Sequence, residues 1–268
     1  MIRYIFSFIL SIFFVFSCQT VPVTGRSQLA LIPNSELLPM SFQNYGEVLK
    51  ENKLSNNQEQ VAMIKRVGKR IQTAVEKYMQ DIGAASQLAG FNWEFNLIED
   101  DNTINAWCMP GGKVAFYTGI LPICKDETGV AVVMGHEIAH AIANHGGERM
   151  SQGLLQQLGM SSLSVALGQN PSLTNNLLLQ SVGVGSQIGM LSFSRQHESE
   201  ADKIGLIFSS MAGYDPREAP KFWERMKAAS GGQAPPEFLS THPSSDRRIK
   251  DLTEQMPEAI KIYEQYKR

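Results

Sequence analysis

The 268-residue sequence has little cysteine, with Cys18, Cys108 and Cys124 alone and no two of them in a C-x-x-C arrangement. A zinc site made of thiolates is thereby excluded, and any metal must be held by histidines and carboxylates. An excess of charge of one sign is missing too: 24 basic residues stand against 26 acidic ones, for a formal net charge of −2, with no long basic run. Nucleic acid is therefore not an expected partner, because a polyanion calls for a positive surface. No internal repeat is found, which excludes a solenoid. Long apolar runs are scarce. The one at the start, Tyr4 to Phe16, is 13 residues long and broken by Ser7 and Ser11, whereas a bilayer crossing takes about 20. What remains, 43% hydrophobic content in a chain of this length, is enough to bury one large core.

The start of the chain reads as an address. Arg3 followed by the apolar run suits an export signal over residues 1–17. Val15-Phe16-Ser17-Cys18 resembles a bacterial lipobox, in which the chain is cut before a cysteine that then carries lipid. Gln19 in place of Asp implies, by the same resemblance, an outer-membrane lipoprotein facing the periplasm, with a lipid anchor at Cys18. Residues 18–56, with Pro22, Pro33 and Pro39, read as a tether that lays one strand, Gln28 to Ile32, against a domain formed by residues 57–268. In an oxidising compartment a Cys108–Cys124 bridge and two separate buried thiols are both open.

Inside the domain the apolar period changes along the chain. Asn57 with Gln60 resembles a helix cap, and Val61, Ile64, Val67, Ile71, Val75 and Tyr78 recur at helical spacing. From Phe91 to Leu97 the period is two, as in a half-buried strand. Ile104 to Met109 is a second extended segment, Pro110-Gly111-Gly112 a turn, and Val114 to Thr118 a third strand, together a small antiparallel sheet. Helical spacing returns after Asp126, a suitable N-cap, and runs through at least Asn144. Residues 153–193 hold no charged side chain and read as short helices flanking a cleft. Asp215-Pro216 announces a further core helix with Phe222, Trp223 and Met226. The expected fold class is α+β, mostly helical.

His136-Glu137-Ile138-Ala139-His140 sits on the helix after Asp126. Two histidines four residues apart lie about one turn apart on one face, so they offer two nitrogens to one ion, while the glutamate between them is rotated by about 100° and suits a general base rather than a ligand. Catalytic zinc usually takes three protein ligands, so a third is sought among His145, His197, His242 and the carboxylates. His145 lies about 180° round from His136 and faces away if the helix continues. Glu198 and Asp202, four apart, share a helix face, either as a ligand with an outer partner for a metal-binding histidine or as a solvated acidic stripe.

H-E-x-x-H followed by Ser194-Arg195-Gln196-His197-Glu198-Ser199-Glu200-Ala201-Asp202 and Gly205 resembles peptidase family M48, a gluzincin family. The stretch Asn105 to Lys113, Gly119-Ile120-Leu121 and Thr241-His242-Pro243 is similar to its periplasmic lipoprotein branch. The resemblance implies a zincin-like domain with an active-site helix, one zinc ion per chain on His136, His140 and Glu198, Asp202 supporting a histidine, and Glu137 as base. It implies that Ile104 to Met109 is an edge strand whose Asn105, Ala106 and Trp107 meet substrate. The implied activity is zinc-dependent endoproteolysis of unfolded or misassembled envelope proteins. A chaperone-like assembly factor with a latent site and a non-peptidase zinc hydrolase are the alternatives. His242, fixed in a turn by Pro243, is open to three roles: an oxyanion donor, a plug at zinc's fourth position, or a loop cap.

Overall fold

The computed structural model describes residues 18–158, 171–183, 194–229, 231, 237–243 and 246–267, so the expected signal segment 1–17 lies outside the described residues. A hairpin of β1 (Cys18–Thr20) and β2 (Ser27–Leu29) opens the described chain. It is followed by α1 (Asn34–Glu51) and α2 (Gln58–Asp81). The sheet strands are β3 (Glu94–Ile98), β4 (Ala106–Met109) and β5 (Lys113–Tyr117). The helices after them are α3 (Glu127–Ile142), α4 (His145–Leu158), α5 (Pro171–Ser181), α6 (Arg195–Met211), α7 (Glu218–Ala229), α8 (Glu237–Thr241) and α9 (Asp246–Tyr266). Helices dominate and the sheets are small, as expected of the α+β class.

Where a tether is expected, α1 is an 18-residue helix that runs through Pro39. Proline there removes one backbone bond, and burial of Leu37, Tyr45 and Val48 on the domain outweighs that loss. The strand of this segment pairs with β1 and not with the main sheet.

The main sheet has the order β3-β5-β4. β4 and β5 form the expected antiparallel pair, turning through Gly111 and Gly112 at φ of 86° and 83°, which a side chain would resist. β3 joins β5 in parallel, so the sheet is mixed rather than wholly antiparallel. A period of two reports burial and not strand direction. Alternation along β4 sends Ala106 and Cys108 into the main core with α3, and Trp107 and Met109 to a second cluster with Tyr45 and Val48.

Helix α3 starts on Asp126, whose side chain accepts from the Thr128 and Gly129 amides at 2.9 and 3.1 Å. It is buried almost all round, which explains its weak amphipathic signal. α6 crosses it where two glycines meet: a Cβ on Gly135 would lie 2.9 Å from the Gly205 carbonyl oxygen, and one on Gly205 only 2.8 Å from the His136 nitrogen. α3 ends at Ile142, and Asn144 adopts a positive φ of 55° before α4 begins at His145. Asparagine tolerates that left-handed turn, so the chain changes direction two residues earlier than the sequence suggests. Cys108 and Cys124 are separate buried thiols, not a bridge, and burial pushes both upward in pKa. No helix among the described residues is long and apolar enough to cross a membrane.

Candidate metal centre

His136 and His140 rise from α3 with their Nε2 atoms 3.0 Å apart. Glu198 enters from the first turn of α6, which Ser194 caps by accepting from the His197 amide at 3.1 Å. Its carboxylate oxygens lie 3.6 Å from His136 Nε2 and 3.4 Å from His140 Nε2. His242, just after α8, brings its Nδ1 to 3.0 Å from Glu198 Oε1 and 3.3 Å from His136 Nε2. One ligand atom from each of these four buried residues lies within 4.8 Å of the others.

The ring chemistry fits zinc. His136 Nδ1 faces Asp202 Oδ1 at 3.1 Å and His140 Nδ1 faces His145 Nδ1 at 2.9 Å. With a proton on each Nδ1, both Nε2 atoms keep a lone pair close to one another and to a carboxylate, an arrangement that a divalent cation satisfies. The donor set of imidazole nitrogens and one carboxylate is that of a catalytic zinc site.

Glu137 is 2% exposed, and its Oε1 has no hydrogen-bond partner among the described residues. It faces a crevice shared with Cys108, Pro110, His140 and Val182, with His242 Nε2 at 3.6 Å. Burial pushes its carboxyl up to about 8. Asp202 is gripped by Arg248, through Nε at 2.5 Å and Nη2 at 2.7 Å, while Arg248 Nη1 reaches Glu198 Oε2 at 2.5 Å. The guanidinium lies 3.5 Å from the centre of the Trp223 ring. Burial and Arg248 pull His136 downward, but the Asp202 and Glu198 carboxylates outweigh them and raise it to about 9. Burial alone would raise Glu198, yet Arg248 and His242 hold it well below the usual carboxylate range. Burial takes His242 down to about 4. The sequence reading misses Arg248. Its signal is a charge at a core position of α9, in step with Leu252 and Ala259.

His145 does not face away. The turn at Asn144 brings it back, fully buried, onto His140, and its Nε2 meets Glu200 Oε2 at 2.9 Å. His197 stacks on it at 4.4 Å between ring centres and contacts Glu148 Oε2 through Nε2 at 3.1 Å. Burial lowers His145 to about 4. Burial opposes ionisation of Glu200 and Glu148, but their histidine and arginine partners prevail and hold both at about 2.

The residues expected to meet substrate are all buried. Asn105 Nδ2 donates to the Gly183 carbonyl at 3.3 Å and to Glu237 Oε1 at 3.2 Å. Trp107 packs edge-on against Tyr45 at 5.7 Å, on the sheet face opposite α3, so its side chain is buried away from the metal centre. β4 is an edge strand by pairing, yet the segment leading into it is covered: the Phe238 amide of α8 donates to the Ile104 carbonyl at 3.0 Å.

Residues 66–256 match the model of peptidase family M48. The mitochondrial metalloendopeptidase OMA1 of Saccharomyces cerevisiae is 33% identical over 264 residues, covering 95% of this chain and 74% of the relative. The mitochondrial metalloendopeptidase OMA1 of Homo sapiens is 32% identical over 268 residues, 97% of this chain but only 50% of the relative. The β-barrel assembly-enhancing protease of Escherichia coli is 32% identical over 170 residues, 59% of this chain and 33% of the relative. These findings overturn the expected placement as a periplasm-facing lipoprotein of the outer membrane: relatives that align with nearly the whole chain are mitochondrial by name.

Proposed function

Because the chain belongs to peptidase family M48 and is a zinc metalloendopeptidase, we propose that it cleaves unfolded or misassembled polypeptides at the centre formed by His136, Glu137, His140 and Glu198. The observation that carries this reading is the convergence of four ligand atoms beside a buried glutamate whose Oε1 has no hydrogen-bond partner among the described residues. When bound, zinc supplies Lewis acidity that polarises a carbonyl and lowers the pKa of water towards 7. Glu137 takes the proton of the attacking water and hands it to the leaving amine. Asp202 holds the Nδ1 proton of His136. A substrate strand adding to β4 would be held by backbone hydrogen bonds, with little demand on its sequence.

The site is latent in this conformation. Two observations support that: His242 stands inside the ligand set, and the approach to β4 is closed by Asn105, Gly183 and α8. His242 therefore acts as a plug. Casein cleavage with zinc present tests both statements. Glu137→Gln should keep its zinc and lose about 10²- to 10⁴-fold in turnover, and full activity there rejects the mechanism. His242→Ala should gain turnover, whereas a loss of about 10²- to 10³-fold would assign it to the oxyanion instead.

A further inference from the structure

Behind His140 a run of side chains reaches the N-terminal hairpin. His140 Nδ1 contacts His145 Nδ1 at 2.9 Å, His145 Nε2 contacts Glu200 Oε2 at 2.9 Å, and Arg26 Nε contacts the same Glu200 oxygen at 2.7 Å. Thr24 donates to the other Glu200 oxygen. Arg26 also grips Glu148 with Nη1 at 3.2 Å and Nη2 at 2.8 Å. Its guanidinium thus joins α4 to α6 beside the ligands. The turn that presents Arg26 is closed by the Val21 amide on the Arg26 carbonyl at 2.8 Å and by the Gly25 amide on the Val21 carbonyl at 2.9 Å. A second tie comes from the Leu31 amide, which donates to Ser151 Oγ of α4 at 3.0 Å.

Donor and acceptor rules give this run one direction. If Nε2 of His140 offers its lone pair to a metal, the proton of that neutral ring is on Nδ1 and must be donated. His145 then accepts on Nδ1, carries its own proton on Nε2 and donates it to Glu200, which is acceptor-only when ionised. Both of these contacts are satisfied in that sense. Metal-binding histidines are generally oriented by such an acceptor, most often a carboxylate or carbonyl; here a second histidine stands between.

We propose that His145 is a positioning residue that fixes the tautomer and ring orientation of His140, and that the N-terminal hairpin is part of the metal site because Arg26 and Thr24 hold Glu200 in place to orient His145. This rests on His140 being a zinc ligand, as in the function proposed above. The hairpin lies outside residues 66–256, the span shared with the family model.

The test measures zinc affinity of the full chain by competition with a chromogenic chelator, so no turnover is needed. His145→Leu, which removes the acceptor, should weaken zinc binding about 10- to 100-fold. His145→Asn, whose amide oxygen can still accept from His140, should recover most of that loss. Arg26→Gln should weaken it several-fold from a position that touches no ligand. If His140→Ala binds zinc like wild type, the ligand assignment itself fails. If His140→Ala loses zinc while His145→Leu and Arg26→Gln stay within twofold of wild type, the positioning role is wrong. Should the variants not fold, nitrogen-15 NMR of zinc-loaded wild type decides alone. A coupling across the hydrogen bond between His140 Nδ1 and His145 Nδ1 is expected, and a His140 ring protonated on Nε2 overturns the proposal.

Discussion

His136 and His140 occupy adjacent turns of α3 and share one metal position, yet they are backed by unlike partners. His136 leans directly on the Asp202 carboxylate, itself gripped by Arg248 from the last helix. His140 leans on a neutral imidazole, and the carboxylate and arginine, Glu200 and Arg26, come one step further out. The electrostatic result is opposite. Against the pull of burial and of Arg248, Asp202 and Glu198 raise His136 to about 9, whereas at His140 burial outweighs the Glu198 carboxylate and lowers it well below the usual range. A carboxylate in contact strengthens a ring as a base; a carboxylate behind a second ring orients it with less charge. The two arginines come from opposite ends of the described chain, so both termini converge on one site.

The sharpest reference point is Glu137→Gln, which alters neither support. It should cost about 10²- to 10⁴-fold in turnover with zinc affinity unchanged, read by casein cleavage and chelator competition. A variant that lost zinc as well would show that Glu137 is not separable from the ligands. Next in size is acid sensitivity of the zinc-free protein. His145 and His242 titrate at about 4 in the fold against 6.5 when unfolded. Their groups are neutral in both states above pH 6.5. Below it the unfolded chain binds the protons first, so stability is lost as pH falls from 6.5 to about 4, by roughly 3 kcal/mol at most for each. Urea midpoints measured in a chelator across that range should fall, and His145→Asn should flatten the slope.

The two supports are then compared directly. Asp202→Asn should weaken zinc binding towards the upper end of about 10- to 100-fold, and Glu200→Gln towards the lower end. Equal losses in a competition titration would erase the distinction between a direct and a relayed carboxylate. The smallest effect is at the turn that delivers His145. Asn144→Ala should cost about 1–2 kcal/mol because alanine lacks the short polar side chain whose local hydrogen bonding lets asparagine adopt positive φ, while Asn144→Gly should stay within a few tenths. Thermal unfolding checks both, and equal stability of the two variants would remove the backbone explanation for the turn.

Much of the ligand helix was legible because its information is local. Asp126, the apolar spacing from Val130 and the pair His136 and His140 lie within one helix, and the structure places the pair on one face. Glu198 and Asp202 could be grouped for the same reason, being one turn apart on α6. Residues that act across the fold were not legible. Arg26 meets Glu148 and Glu200 over separations of 122 and 174 positions, and no periodicity reports such a pairing. Arg248 sits 46 positions from Asp202. His145 was misplaced by a single backbone angle at Asn144, a residue that helical patterns carry as readily as turns do. α1 was hidden by Pro39, a breaker that packing overrules.

The crossing of Gly135 and Gly205 bears on how this protein can open. Helices separated by a layer of side chains can slide past one another as rotamers change, but two backbones in contact have no such lubricant. The histidine pair of α3 and the glutamate of α6 therefore move as one tool, and the spacing of the ligands is insensitive to whatever happens at the rim. In the function proposed above, admission of a polypeptide falls to parts that lie over the site, among the described residues the end of α5 and the short α8. Gate and blade are thus separate parts: a change that loosens the gate can leave the cutting edge as sharp as before.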